Sequence, residues 1–149
     1  MAALPLPLRG YLMSCKMARF IYDSDTPLAV AAGSPIMFAK TTSTTSAIQY
    51  NGAGGVLIKA PGTYRVVSSL TISATAAGAV NVSMSAAGNP ATGARAGATL
   101  AAAGDLDTLS IVDLITVKTG VSGSYATLTF APDAAVGIRT ANVLVEKVG

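Results

Sequence analysis

The sequence predicts an all-β sandwich, and three observations carry that expectation. Turn signals built on Gly, Pro, Asn and Asp recur roughly every 8 to 14 residues, the spacing of short antiparallel strands rather than of βαβ units. Between them, apolar and polar residues alternate with the two-residue period of a half-buried strand. Nearly half of the 149 residues are Ala, Gly, Ser or Thr, while charged residues make up only 11% and aromatics 5%. That composition excludes disorder, which needs low hydrophobicity and high charge. It also excludes a soluble coiled coil, which needs many Glu, Lys and Arg. No apolar run reaches the roughly 18 residues of a membrane-spanning helix.

The chain reads in order as follows. Residues 1–27 form an N-terminal arm and residues 28–149 a single domain. In Leu4-Pro5-Leu6-Pro7-Leu8 each proline drives its predecessor to an extended conformation, so the segment is an extended anchor with leucines on one side. Residues 11–22 fit a short helix or a strand, and periodicity does not decide between them. Leu28–Ala32 and Ile36–Lys40 are short strands flanking Gly33-Ser34-Pro35. Thr41–Ser46 suits an exposed edge or loop. Ile48–Tyr50 and Val56–Lys59 flank a hairpin-type turn, Asn51-Gly52-Ala53-Gly54-Gly55. Tyr64–Ser73 is the longest clear strand, with Tyr64, Val66, Leu70 and Ile72 on one parity. Val80, Val82 and Met84 alternate with Asn81, Ser83 and Ser85. Residues 86–98 are mostly loop. Leu106–Lys118, Tyr125–Ala131 and Ala141–Val148 complete the domain.

Two of these strands break the alternation. Val112 and Leu114 are apolar on the parity opposite to Leu109, Ile111 and Ile115, and Leu144 is apolar opposite to Val143 and Val145. A sheet with one face in water keeps that face polar. Two apolar faces imply a cover, and in a one-domain chain the expected cover is another copy of the chain.

The net charge of +3 is unevenly placed. Arg9, Lys16 and Arg19 precede any acidic residue, and from residue 20 onward acids and bases balance. The domain body lacks the basic stripe with interleaved aromatics of a nucleic-acid binder. The arm is expected to lie on an acidic or polar partner. Cys15 is the only cysteine, so no intrachain disulfide forms. Leu12-Met13-Ser14-Cys15 loosely matches a lipoprotein cleavage box, but Pro5, Pro7 and Arg9 interrupt the apolar stretch such a signal needs. Asn81-Val82-Ser83 matches a glycosylation sequon but falls inside a strand.

Chemistry is sparse. His is absent, which removes the commonest general base and metal ligand. Seven carboxylates exist. Asp105-Leu106-Asp107 and Asp23-Ser24-Asp25 read as surface turns rather than Ca²⁺ ligand sets. The Gly52–Gly55 loop lacks the Lys-Ser/Thr of a phosphate loop. Asp113, inside an apolar strand, is expected to pair with Arg139, Lys147 or Arg65, or with hydroxyls, since an unpaired buried charge is costly.

Pro61-Gly62-Thr63-Tyr64-Arg65-Val66-Val67-Ser68 resembles the P-G-x-Y-x-V-S segment that opens a strand in tumour-necrosis-factor-like jelly rolls, the fold of the complement-type globular head. Gly33-Ser34-Pro35-Ile36-Met37-Phe38 resembles the early G-x-x-I-x-F element of that family. Ala141–Val148 is similar to the closing strand of its bacterial and bacteriophage subgroup, whose members are heads on collagen-like surface proteins and phage fibre or decoration proteins. The resemblance spans about residues 28–149. It implies a jelly-roll β-sandwich of about ten short antiparallel strands, assembled as a homotrimer with one sheet of each copy facing the three-fold axis. A Gly-X-Y stalk is missing, which favours direct attachment to a particle.

The expected function is therefore that of a structural virion protein on the particle surface. It would decorate a capsid or form a short head fibre or collar element. Its arm would bind a capsid or other virion protein through Leu4, Leu6, Leu8, Arg9, Tyr11, Lys16, Arg19 and Phe20. Tyr64, Val112, Asp113, Leu114, Tyr125, Phe130, Val143 and Val145 are the candidates for the trimer interface or core. No catalytic residue, cofactor, metal, nucleic acid or membrane partner is expected. The alternative is a receptor-binding or adhesive head that recognises glycan through residues 86–98 and 119–124. Those loops are poor in the aromatic and hydrogen-bonding side chains such a site needs.

Overall fold

A computed structural model describes residues 16–87, 94–118 and 126–149. The described residues form ten strands: β1 (Met17–Val30), β2 (Lys40–Ser43), β3 (Ile48–Tyr50), β4 (Val56–Ile58), β5 (Gly62–Ala74), β6 (Gly78–Ala87), β7 (Arg95–Leu100), β8 (Leu106–Val117), β9 (Ala126–Pro132) and β10 (Val136–Lys147). They make two five-stranded antiparallel sheets, ordered β2-β1-β10-β5-β8 (sheet I) and β3-β4-β9-β6-β7 (sheet II). Every adjacent pair is distant in sequence or a hairpin, and the crossing pattern is that of a jelly-roll sandwich.

The core lies between the sheets and is built by strict alternation. In β5, Tyr64, Val66, Ser68, Leu70 and Ile72 point inward and are buried. In β10, Ala141, Val143 and Val145 do the same, and in β8, Leu109, Ile111, Ile115 and Val117. Sheet II answers with Val80, Val82, Met84, Leu128 and Phe130. Ser68, the buried polar residue of the core, donates its hydroxyl to the Ile111 carbonyl at 3.0 Å. Among the described residues no buried side-chain nitrogen or oxygen lacks a partner, as a dry sandwich core requires.

One corner is aromatic. Phe20, Phe38 and Tyr50 stack with ring centroids 5.8–6.1 Å apart. The Tyr50 hydroxyl accepts the N–H of Phe38 at 2.9 Å and of Gly54 at 3.0 Å. This tyrosine thus pins two loops to the core. The Asn51–Gly55 turn is closed by Asn51, whose Oδ1 accepts the N–H of Ala53 and of Gly55, an Asx turn.

Three expectations need correction. Residues 17–27, expected within the arm, lie in β1, so the boundary at 27/28 falls inside a strand. Their alternation explains it: Ala18 and Phe20 are buried while Arg19 faces out. β1 is paired on both sides, with β10 and with β2. The register slips between Asp23 and Leu28, and this bulge breaks the alternation that would otherwise advertise one long strand. This also settles residues 17–22 as strand. Second, Ile36–Lys40 is not a strand before Lys40. Ile36 and Phe38 are buried all the same. The Ile36 N–H goes to the Phe130 carbonyl of β9 and that of Phe38 to a side chain, so the segment is a connector between β1 and β2 that leans on sheet II. Part of the expected loop 86–98 is strand as well, β7 beginning at Arg95.

Candidate assembly interface

The face of sheet I turned away from the core is where the unusual residues gather. Strand register defines it row by row. One row runs Thr42, Arg19, Leu144, Val67, Val112 across β2, β1, β10, β5 and β8. The row nearer the Lys147 end runs Met17, Glu146, Arg65, Leu114. On the other side come Lys40, Ile21, Asn142, Ser69, Ser110, and then Asp23, Thr140, Thr71, Thr108. Leu144, Val67, Val112 and Leu114 therefore form one apolar patch spanning three strands.

The patch is open. Val112 is 64% exposed, Leu114 61% and Val67 36%, while Leu144 is half-buried. An open depression of about 340 Å³ lies beside it, lined by Arg19, Val67, Ser69, Asn142 and Leu144. The polar groups around it are already oriented. Arg65 and Glu146 form an ion pair across neighbouring strands. Arg19 donates from Nε to Asn142 Oδ1 at 3.1 Å, and the Thr71 and Thr108 hydroxyls share a hydrogen bond of 3.1 Å. Fixed polar groups surrounding bare aliphatic side chains have the anatomy of an interface, an apolar centre with a polar rim.

The expected site residues divide. Val112 and Leu114 lie on this open face. Val143, Val145, Phe130 and Tyr64 are core. The Tyr64 hydroxyl donates to the Ala60 carbonyl at 2.7 Å, and burial raises its pKa above the usual tyrosine value. Asp113 has inward parity between Ile111 and Ile115, yet β8 is an edge strand and leaves it half-exposed at the rim. It accepts the Leu114 N–H at 2.9 Å. The pairing expected for it within the chain does not form, because Arg65 is taken by Glu146, and Arg139 belongs to the far end of β10.

Of the arm candidates, Lys16 leads into β1 and its carbonyl accepts the Lys147 N–H at 2.8 Å. Arg19 lies on the open face. Phe20 is fully buried in the aromatic corner. Leu4, Leu6, Leu8, Arg9, Tyr11, Cys15 and Tyr125 lie outside the described residues. Sequence reasoning marked Leu144 as apolar on the second face but left it out of the interface candidates, and it missed Val67 and the Arg65–Glu146 pair. The signal was present: if Val143 and Val145 point inward, Leu144 points outward, and Val67 stands between inward Val66 and Ser68.

The short acidic motifs serve local backbone. Asp105 Oδ2 accepts the Ala102 N–H, Asp107 Oδ1 that of Thr108, and Ser24 Oγ that of Thr26. Among the described residues no cluster of three or more Cys, Asp or Glu could hold a metal ion. Asn81 of the sequon is engaged by Asp133. Its backbone N–H donates to Oδ1 at 2.8 Å and its side-chain Nδ2 to Oδ2 at 2.9 Å, and these bonds lower the Asp133 pKa.

Neither a family model nor a curated protein sequence matches the chain. Solved structures do. The globular domain of a zebrafish complement 1qA protein superimposes with a TM-score of 0.66 at 14% identity, over 89% of this chain and 96% of that one. An Eiger TNF from S. frugiperda gives 0.73 at 11% identity, over 91% and 93%. PRD1 vertex protein P5 gives 0.56 at 18% identity, over 90% and 97%. The chain has the fold of tumour-necrosis-factor and complement-head domains. At these identities the likeness is one of fold, and fold alone does not assign function.

Proposed function

We propose that the chain is a structural protein of a bacteriophage virion. It acts as a homotrimer that decorates the capsid or forms a short fibre or collar element, attached through the segment before β1. The observation that carries this reading is the open apolar patch of Leu144, Val67, Val112 and Leu114 on sheet I. A row of bare aliphatic side chains three strands wide needs a cover, and the trimer implied by the family resemblance turns such a sheet toward its axis. The fold shared with PRD1 vertex protein P5 supports placing that trimer on a virus particle. The sparse chemistry supports a structural rather than a catalytic role: no histidine, and the Asp105, Asp107, Asp113, Asp133 and Glu146 carboxylates engaged by backbone N–H groups, Asn81 or Arg65.

Light scattering on the purified full chain tests the reading. The expected particle has three times the chain mass of 14.8 kDa, and a stable monomer rejects the trimer. Attachment is tested separately by removing residues 1–15. The shortened chain should remain a folded trimer and lose binding to the phage particle, and retained binding rejects the anchoring role.

A further inference from the structure

The domain that is neutral on average is electrically polar along its strands. Four lysines meet at one end. Lys16 precedes β1 and Lys147 closes β10, the two joined by a backbone hydrogen bond. Lys118 follows Val117, which pairs with Gly62. Lys59 follows β4, leads into the turn before β5, and donates its N–H to the Ala47 carbonyl. Gly62 (φ +147°) makes room for them: a Cβ there would fall 2.6 Å from Lys147 Cε. The side-chain carboxylate at this end is Glu146, and Arg65 holds it. With Glu146 held by Arg65, the four lysines leave the end strongly positive.

The opposite end carries five of the chain's aspartates. Asp23 and Asp25 lie in the β1 bulge, Asp105 and Asp107 at the start of β8, and Asp133 in the turn after β9. Arg139, Arg95 near Asp133 and Lys40 beside Asp23 answer them in part. The strands separate the two ends by several Debye lengths, each about 8 Å at physiological salt, so they act as independent surfaces.

Resting on the attachment reading above, we propose that the lysine end is the docking face of the particle-bound trimer and that it takes an acidic protein surface. The chain enters β1 at this end, so the anchoring segment and the lysines address the same partner. The chemistry fits protein rather than nucleic acid. The four lysines carry no arginine fork for phosphate, the neighbouring Arg65 is engaged by Glu146, and among the described residues the aromatic side chain of this end, Tyr64, is buried rather than available for base stacking. Among the described residues the large apolar side chain exposed beyond the last strand residues of this end is Val148, which suits the centre of a small protein contact and is too little to insert into a bilayer. The acidic end then faces away from the particle, and its like charge keeps decorated particles apart.

The test uses the full chain against immobilised polyglutamate, with duplex DNA and phosphatidylglycerol vesicles in parallel. Two double variants are compared, Lys59→Glu with Lys118→Glu, and Asp105→Lys with Asp107→Lys. Light scattering and circular dichroism check that each is assembled and folded. The expected result is binding to polyglutamate that falls about tenfold or more in the lysine variant, persists in the aspartate variant, and is lost at about 0.5 M salt. Equal binding by the lysine variant and the parent overturns the proposal. So does tighter binding to DNA or vesicles, or end-to-end association of trimers that the lysine variant abolishes. If only removal of residues 1–15 abolishes particle binding, the lysine face is wrong and the anchoring segment stands. If the chain is monomeric yet lysine-dependent, the trimer is wrong and the lysine face stands.

Discussion

Replacing Val112 and Leu114 together by serine should break the assembly and spare the fold. Both side chains point away from the core, and their strand keeps Leu109, Ile111, Ile115 and Val117 inside. Full burial of a Val or Leu side chain is worth ~1.5–3 kcal/mol. At 64% and 61% exposure, most of that remains to be gained on association, about 1–2 kcal/mol for each residue. The pair then contributes about 2–4 kcal/mol per copy, a factor of roughly 30 to 700 in the association constant. The effect on the isolated fold should stay near the ~0.5 kcal/mol typical of surface changes. Light scattering over a dilution series reads the assembly, and circular dichroism with urea titration reads the fold. The double variant should dissociate at concentrations where the parent is intact, with an unchanged spectrum. A dilution profile identical to that of the parent refutes the reasoning, because the patch would then not be what holds copies together.

Removing residues 1–22 instead of 1–15 should abolish folding, since it deletes Ala18 and Phe20 and the first half of β1. Phe20→Ala alone should cost about 3–5 kcal/mol, readable as a lowered urea midpoint. Gly54→Ala should destabilise by about 2 kcal/mol or more. The backbone there has φ +88°, and a Cβ would meet Pro35 Cβ at 2.7 Å and the Ile36 carbonyl oxygen at 2.9 Å; an unchanged melting temperature would contradict this. Asp133 should contribute to acid sensitivity. Its pKa is lowered from 3.8 by the bonds from Asn81, so its stabilisation is present above the unfolded value and fades as pH falls through the lower folded value. Asp133→Ala should flatten that part of a melting series taken from about pH 5 to about pH 2, and an unaltered pH profile would exclude the carboxylate.

Much of the architecture was legible because a sandwich core follows a two-residue period. Tyr64 to Ile72, Val80 to Met84 and Leu109 to Val117 declared their inward faces directly. The same period located the open face through Val112 and Leu114, whose apolarity had no use inside. What escaped notice escaped for local reasons. β1 was obscured by the bulge after Asp23, where the run Asp23-Ser24-Asp25-Thr26-Pro27 separates inward Phe20 from inward Leu28. Ile36 and Phe38 mimic a strand because they are buried at alternate positions, yet their N–H groups bond one backbone carbonyl and one side chain rather than a ladder. The end-to-end charge polarity was invisible along the sequence, where acids and bases sum to zero. Only the folding of distant segments to common ends separates them.

The chain's first described strand is completed by its last. Met17 pairs with Glu146 and Phe20 with Val143, and β10 is the strip that joins β1 to β5 in sheet I. During synthesis, β1 has no permanent neighbour on that side until β10, the last described strand, has also emerged. Contacts of such sequence separation carry a loop-closure cost before they return anything, so folding is slow and waits for β10. In the interval, Phe20 and the unpaired edge of β1 are open to other nascent chains. Crowded expression should therefore lose this protein to aggregation of incomplete chains rather than to unfolding of finished ones.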